Sequence, residues 1–339
     1  MSDSHNITLF PHAPRTGGNS LVLVFHQYYG KHEFIHYGET YHAWNDLRKM
    51  PSARFDSIKC LGGHGLYYGI DEYLPTATNY IGILRDPVRR LISQYNLYLT
   101  DPENGMHSWI KENNITLEQF HLTNPNVQSN YLIGFPHKSE QRPHEMPLEE
   151  VINFIESKFS FLGITELYDE TIFLLKKKLG WSKHIYWELS RKAKVEAEPV
   201  SDELKEQIKL TNLVDQAIYD RARAKLEEEL SNLSKEEKAE LAFYKGANLL
   251  FQEFMKVRPS EIESDFAIQI LQPNLKSLAI LSMNESLHTT LIDLIGKLQT
   301  PLQRSVEVCL LHANSISELE SIVAQQRERV LAADCSILI

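Results

Sequence analysis

A short apolar run, Ile7-Thr8-Leu9-Phe10, leads through Pro14-Arg15-Thr16-Gly17-Gly18-Asn19-Ser20 into a stretch where Leu21, Leu23, Val24 and Tyr28 recur at helical spacing. A strand feeding a glycine turn and then a helix constrains the chain to an α/β layout. Glycines at such a turn let backbone N–H groups converge, and the new helix aims its positive dipole end at the same point. With Arg15, Thr16 and Ser20 alongside, the turn reads as an anion cradle whose natural guest is a phosphate or a sulfate. It lacks the Gly-Lys-Ser or Gly-Lys-Thr ending of the ATP/GTP loop, which disfavours an ordinary nucleoside triphosphatase. Taken alone, Thr-Gly-Gly also suits a turn that holds nothing.

A second turn narrows the reading. Tyr80-Ile81-Gly82-Ile83-Leu84 reads as a buried strand that runs into Arg85-Asp86-Pro87, after which Val88, Leu91, Ile92, Tyr95 and Leu99 mark a helix. Pro87 suits the first helical turn, where its missing N–H costs nothing. Arg85 therefore stands at a strand's carboxyl end beside a helix start, where open α/β sheets bind ligands. Arg89 and Ser93 share a face of the helix. Arg85 also fits a structural ion pair. Two anion clamps on one sheet imply a ligand with phosphates at two ends.

These segments, taken in order, resemble those of the sulfotransferase family. The Pro-Arg-Thr-Gly-Gly-Asn-Ser run is similar to the 5′-phosphosulfate loop, written Pro-Lys-Thr-Gly-Gly-Thr-Ser in the carbohydrate 2-O-sulfotransferase-like branch, here of a soluble bacterial type. Residues 63–75, opening Gly63-His64-Gly65, resemble a Gly-His-x-x-x-Gly segment, and residues 83–95 resemble the 3′-phosphate motif. Asn126-Val127-Gln128-Ser129-Asn130 and Phe161-Leu162-Gly163-Ile164-Thr165-Glu166 follow in family order. The resemblance spans roughly residues 5 to 230 and implies a P-loop-like parallel sheet flanked by helices.

The resemblance implies transfer of a sulfuryl group from 3′-phosphoadenosine-5′-phosphosulfate (PAPS), leaving PAP, to a hydroxyl of a carbohydrate or small hydroxylated metabolite. Arg15, Thr16, Gly17, Gly18, Asn19 and Ser20 would hold the 5′-phosphosulfate, and Arg85 and Ser93 the 3′-phosphate. In-line displacement asks for alignment, leaving-group stabilisation and removal of the acceptor proton. Arg15 would stabilise the leaving oxygen, and His64 is the candidate base, since a neutral imidazole can take a hydroxyl proton at neutral pH. The family places lysine where Arg15 stands, so a catalytically weak nucleotide-binding module whose tail recruits a partner is the alternative. No metal is required.

Other positions keep two readings each. His64 sits among glycines and also suits a hydrogen-bonding turn; Glu33, His36, Glu39 and His42 compete for the role of base. Asn126 and Gln128 suit ligand contacts or helix caps. Tyr67, Tyr68 and Tyr73 suit sugar stacking or the core. Arg191-Lys192-Ala193-Lys194 suits a loop over the nucleotide or a solvated patch.

The net charge of −10 argues against nucleic acid as a partner. Three cysteines, Cys60, Cys309 and Cys335, give no disulfide framework, and no segment reads as a signal or membrane span, so a cytoplasmic protein is expected. Residues 1–235 read as the catalytic domain and 236–339 as an α-helical C-terminal extension. There Leu275, Leu278, Ala279 and Leu281, then Leu287, Leu291, Leu294, Ile295 and Leu298, suggest amphipathic helices able to mediate a homo-oligomer.

Overall fold

The computed structural model describes residues 6–38, 43–135, 138–188 and 200–257, and three strands at 277–282, 307–312 and 335–338. The chain divides into two compact units, Met1–Leu179 with Leu189–Leu233, and Gly180–Glu188 with Ser234–Ile339.

The first unit opens with β1 (Ile7–Pro11), α1 (Gly18–Tyr28) and β2 (Phe34–His36), then the short helices α2 (Ala43–Leu47) and α3 (Ser52–Phe55). It continues through β3 (Cys60–Gly63), β4 (Thr78–Leu84) and α4 (Pro87–Thr100), then α5 (His107–Glu112), α6 (Leu117–Phe120), α7 (Val127–Ile133) and α8 (Leu148–Lys158). β5 (Phe159–Ile164), α9 (Tyr168–Leu179), α10 (Asp202–Thr211) and α11 (Leu213–Ser231) complete it. The five strands pair in parallel in the order β2-β3-β1-β4-β5. Every residue of β1 and β3 is buried, as are the last five of β4. Burial of successive residues, whose side chains alternate between faces, means that both faces are covered, the rule for parallel sheets. These strands therefore read as unbroken apolar runs.

Strand order fixes where a ligand belongs. From β1 the chain moves to one side of the sheet, through β2 and back to β3, and from β4 it moves to the other, to β5. The carboxyl ends of β1 and β4, which are neighbours, thus flank a topological switch point, the crevice where open α/β sheets hold ligands. Both sequence turns, 12–17 and 85–86, leave the sheet there. α4 is oriented by its apolar side: Val88 and Leu91 pack with Ile110, Phe120, Leu204 and Ile208. That contact leaves Ser93, Gln94 and Leu97 to face the crevice, while Tyr98 borders both the crevice and Phe120. Leu210, which shares the α10 apolar pattern with Leu204 and Ile208, is exposed.

In the second unit α12 (Lys235–Val257) is followed by β6 (Ser277–Ser282), β7 (Glu307–His312) and β8 (Cys335–Leu338), parallel in the order β7-β6-β8. Helix is thus right for 235–257 and wrong for Leu278, Ala279 and Leu281. A six-residue run, Ser277-Leu278-Ala279-Ile280-Leu281-Ser282, is too short for periodicity to separate strand from helix, and here it pairs on both edges. The expected helix over 287–298 lies outside the described residues.

Candidate functional site

The loop after β1 is built by its own backbone. Gly17 has φ +83°, a conformation glycine adopts without strain, and it starts α1 with its carbonyl accepting from Ser20 N–H at 3.1 Å. That same carbonyl accepts from Tyr168 Oη at 2.8 Å, and Thr165 Oγ1 donates to the Thr16 carbonyl at 2.6 Å. Thr16 is fully buried and its hydroxyl donates to the Ala13 carbonyl at 2.9 Å, so its side chain holds the loop rather than a guest. Arg15 is left-handed at φ +68° and reaches across the crevice: its Nε and an Nη donate to Ser93 Oγ at 3.0 and 2.9 Å.

Arg85 answers from the other side, donating from Nη1 to the Arg15 carbonyl at 3.1 Å. Its backbone is gripped at both polar groups by Gln128, whose Oε1 accepts from Arg85 N–H at 2.8 Å and whose Nε2 donates to Arg85 C=O at 2.9 Å. Gln128 is itself fully buried on α7. Burial lowers the Arg85 pKa, offset in part by Glu166, whose carboxylate lies 4.0 Å from Nε, while Nε itself is buried without a hydrogen bond. A desolvated guanidinium with an unsatisfied N–H is a strong anion receptor.

Behind Gln128, α7 and α11 cap each other. Asp215 accepts from Gln128 N–H, Ser129 N–H and Ser129 Oγ at 3.0, 2.8 and 2.7 Å. Asn126 Oδ1 accepts from Val214 N–H and Asp215 N–H at 3.1 and 3.2 Å. Asp215 is fully buried; burial raises its pKa, against the pull of buried Arg90 and of these donors. Asn126 and Gln128 are thus engaged within the protein, as a cap and as a backbone clamp.

His64 follows β3. Its Nδ1 lies 2.9 Å from the His12 carbonyl, and since a carbonyl can only accept, Nδ1 carries a proton, so that in the neutral ring the lone pair is on Nε2. His12, which sequence reasoning overlooked, stacks on His64 with ring centroids 3.9 Å apart and is itself stacked on Phe10 at 5.5 Å. His12 is the first residue past β1, and no local sequence pattern marks its ring for burial. Its burial, followed by His64, His36 and Arg15, holds it neutral, well below the usual histidine pKa.

His12, Arg15, Gly17, Gly18, Asn19, Ser20, His64, Arg85 and Ser93 line one cleft of about 650 Å³, joined on its far wall by Leu97, Tyr98, Asn104 and Met106. That volume suits a nucleotide-sized guest. Of the rival bases, Glu33 spends a carboxylate oxygen on Gly30 N–H and His36 stands exposed at the end of β2. Glu39, His42 and the basic run 191–194 lie outside the described residues. Tyr68 packs against Tyr80, Phe154 and Phe159, a core role. Tyr67 meets Trp44, and Tyr73 lies under Arg48. Among the described residues no group of three or more His, Cys, Asp and Glu side chains is placed to hold a metal ion. Nor is any helix there long and apolar enough to cross a membrane.

The fold is thus a parallel α/β sheet flanked by helices, with a cleft at its switch point that is walled by glycines and lined by Arg15 and Arg85. The model of the galactose-3-O-sulfotransferase family matches residues 50–248, more than half of the chain, and the chain belongs to that family. The match takes in His64, Arg85 and Ser93 and extends into α12, past the point near 230 where the sequence resemblance fades; residues 14–20 precede it. It makes the protein a sulfotransferase-family member, with carbohydrate as the acceptor class the family suggests. The comparison with curated proteins gives no match.

Proposed function

We propose that the protein transfers a sulfuryl group from PAPS to a hydroxyl of a carbohydrate, a galactoside in view of the family matched. One observation carries the reading: two cationic turns at the β1/β4 switch point line a single cleft, with a histidine of defined tautomer at its edge. The residues present fit the donor. Gly17 and Gly18 keep the α1 entrance low, since a Cβ would lie 2.9 Å from Tyr168 and 2.1 Å from His12, and the Arg85 guanidinium brings positive charge to the cleft it lines.

When bound, the donor supplies the activated sulfuryl group. The α1 amino end and Arg15 hold the 5′ side, with Arg15 offering charge to the oxygen that departs; Arg85 and Ser93 hold the 3′-phosphate. His64 Nε2 takes the acceptor proton as the new sulfur–oxygen bond forms. Arg15 and Ser93 are already hydrogen-bonded, so the two halves of the clamp are set against each other before a guest enters. Every side chain given a part here lies within residues 1–235.

The reading is tested by calorimetric titration with PAP and by incubation with labelled PAPS and a panel of galactosides. We expect Arg85→Ala to weaken PAP binding about tenfold to a hundredfold, the worth of one charged hydrogen-bonding group. Arg15→Ala should lower turnover more than affinity. PAP binding without any sulfated product supports the binding-module alternative; no PAP binding overturns the site.

A further inference from the structure

We propose that His12 is a positioning residue for the sulfuryl transfer, a flat uncharged spacer that sets the distance between the glycine turn and His64. The inference rests on the function proposed above, and it is carried by the packing of one ring. His12 is almost wholly buried. On one side it lies against the start of α1, so close that a Cβ on Gly18 would come within 2.1–2.5 Å of three of its ring atoms. On another it stacks on His64 at 3.9 Å with the planes only 22° apart. Its own backbone carbonyl fixes the His64 tautomer, and its N–H is bonded to the Gly63 carbonyl at 3.2 Å, joining the two strand ends. One residue therefore touches both the donor loop and the candidate base.

The ring has to stay neutral to do this. Nδ1 of His12 is buried with no hydrogen-bond partner, so a second ring proton would be stranded there. The titratable or charged groups that act on His12 are His64, His36 at the end of β2 and Arg15 in the loop, with His26 on α1 acting on His36. None is a carboxylate that would favour a cation at His12. When His64 takes a proton in the transfer, its stacked neighbour adds no opposing charge. Gly18 is thus a glycine because the ring occupies the space a side chain would fill.

The test uses the full chain with His12→Ala and His12→Phe, measuring PAP affinity, turnover of PAPS with a galactoside and the NMR titration of the His64 ring. Opening the stack in His12→Ala should lower kcat at least about tenfold, the scale of a misplaced reacting group, while PAP affinity stays within about twofold. It should also move the His64 titration midpoint upward as water reaches the ring. His12→Phe restores a flat uncharged ring and should recover much of kcat and return the midpoint. Unchanged kcat in His12→Ala, or equal losses in both variants with PAP affinity and fold intact, overturns the spacer role. The titration needs no substrate: an unmoved midpoint in His12→Ala overturns the proposal even where the wild-type chain turns PAPS over. A moved midpoint with no wild-type sulfation or PAP binding upholds the spacer geometry and sinks only the transferase reading.

Discussion

At the scale of single residues, burial of ionisable groups sets how the protein responds to pH. His12 is neutral when folded, its pKa held well below the ordinary 6.5, first by burial and then by His64, His36 and Arg15. Below pH 6.5 the unfolded chain therefore binds a proton that the folded one refuses. Stability contributed by keeping His12 uncharged is full above that pH and is lost as pH falls toward the folded pKa. His26 and His36 shift in the same direction, again mainly through burial. Chemical denaturation between pH 7 and 5 should show falling stability, with a shallower slope in His12→Phe; an identical slope would contradict the assignment. That Arg15, Arg85 and His64 stand in turns beyond strand ends was legible, because each has a recognisable neighbour pattern, and the fold brings the three to one cleft. His12 was not legible, because nothing in Phe10-Pro11-His12-Ala13 announces that its ring will be covered by residues 18 and 64. The Thr16 hydroxyl was read as a donor to the guest, whereas local geometry turns it back onto the Ala13 carbonyl.

At the scale of elements, β1, α1, β4 and α4 were readable because their apolar patterns are bounded by Pro and Gly. Asn126 and Gln128 had two readings, and only the meeting of α7 with α11 decides between them. The reason is distance along the chain: Asn126 acts on residues 88 and 89 positions away. Gln128 holds both backbone groups of Arg85, so Gln128→Ala strands a buried N–H and C=O and should cost about 2–4 kcal/mol. The same substitution should weaken PAP binding, because the Arg85 turn loses its support. A denaturant melt and a PAP titration check both. An unaltered melt would mean that the clamp is made good by water. The strand β6 was misread because six apolar-rich residues fit a helix face as well as a sheet, and pairing with β7 and β8 is invisible locally.

At the scale of the whole molecule, the chain leaves its first compact unit at 179 and returns at 189. In the second unit Tyr186 is wholly buried, stacks on Tyr244 at 5.4 Å and meets Phe251 at 5.8 Å. Tyr244 Oη donates to the Ile185 carbonyl at 3.0 Å, and Asn248 Oδ1 accepts from Trp187 N–H at 2.9 Å. A chain ended at 233 would keep 180–188 while losing the helix that packs on it, exposing Tyr186 and stripping the Ile185 carbonyl and Trp187 N–H of their partners. We expect such a truncation to melt at a lower temperature and to aggregate sooner than one ended at 257. Equal melting of the two would show that 180–188 needs no cover. The family match, which ends at residue 248, takes in the first part of that helix.

The reciprocal caps have a consequence for synthesis. Arg85 is seated by Gln128, and the amino end of Gln128's helix is closed by Asp215, 87 residues downstream. A nascent chain still short of that aspartate holds its anion turn on an unfinished support. The Arg85 turn is thus completed late in translation, and premature termination before α11 yields a polypeptide with every glycine of the loop and an Arg85 turn whose clamp has no anchor.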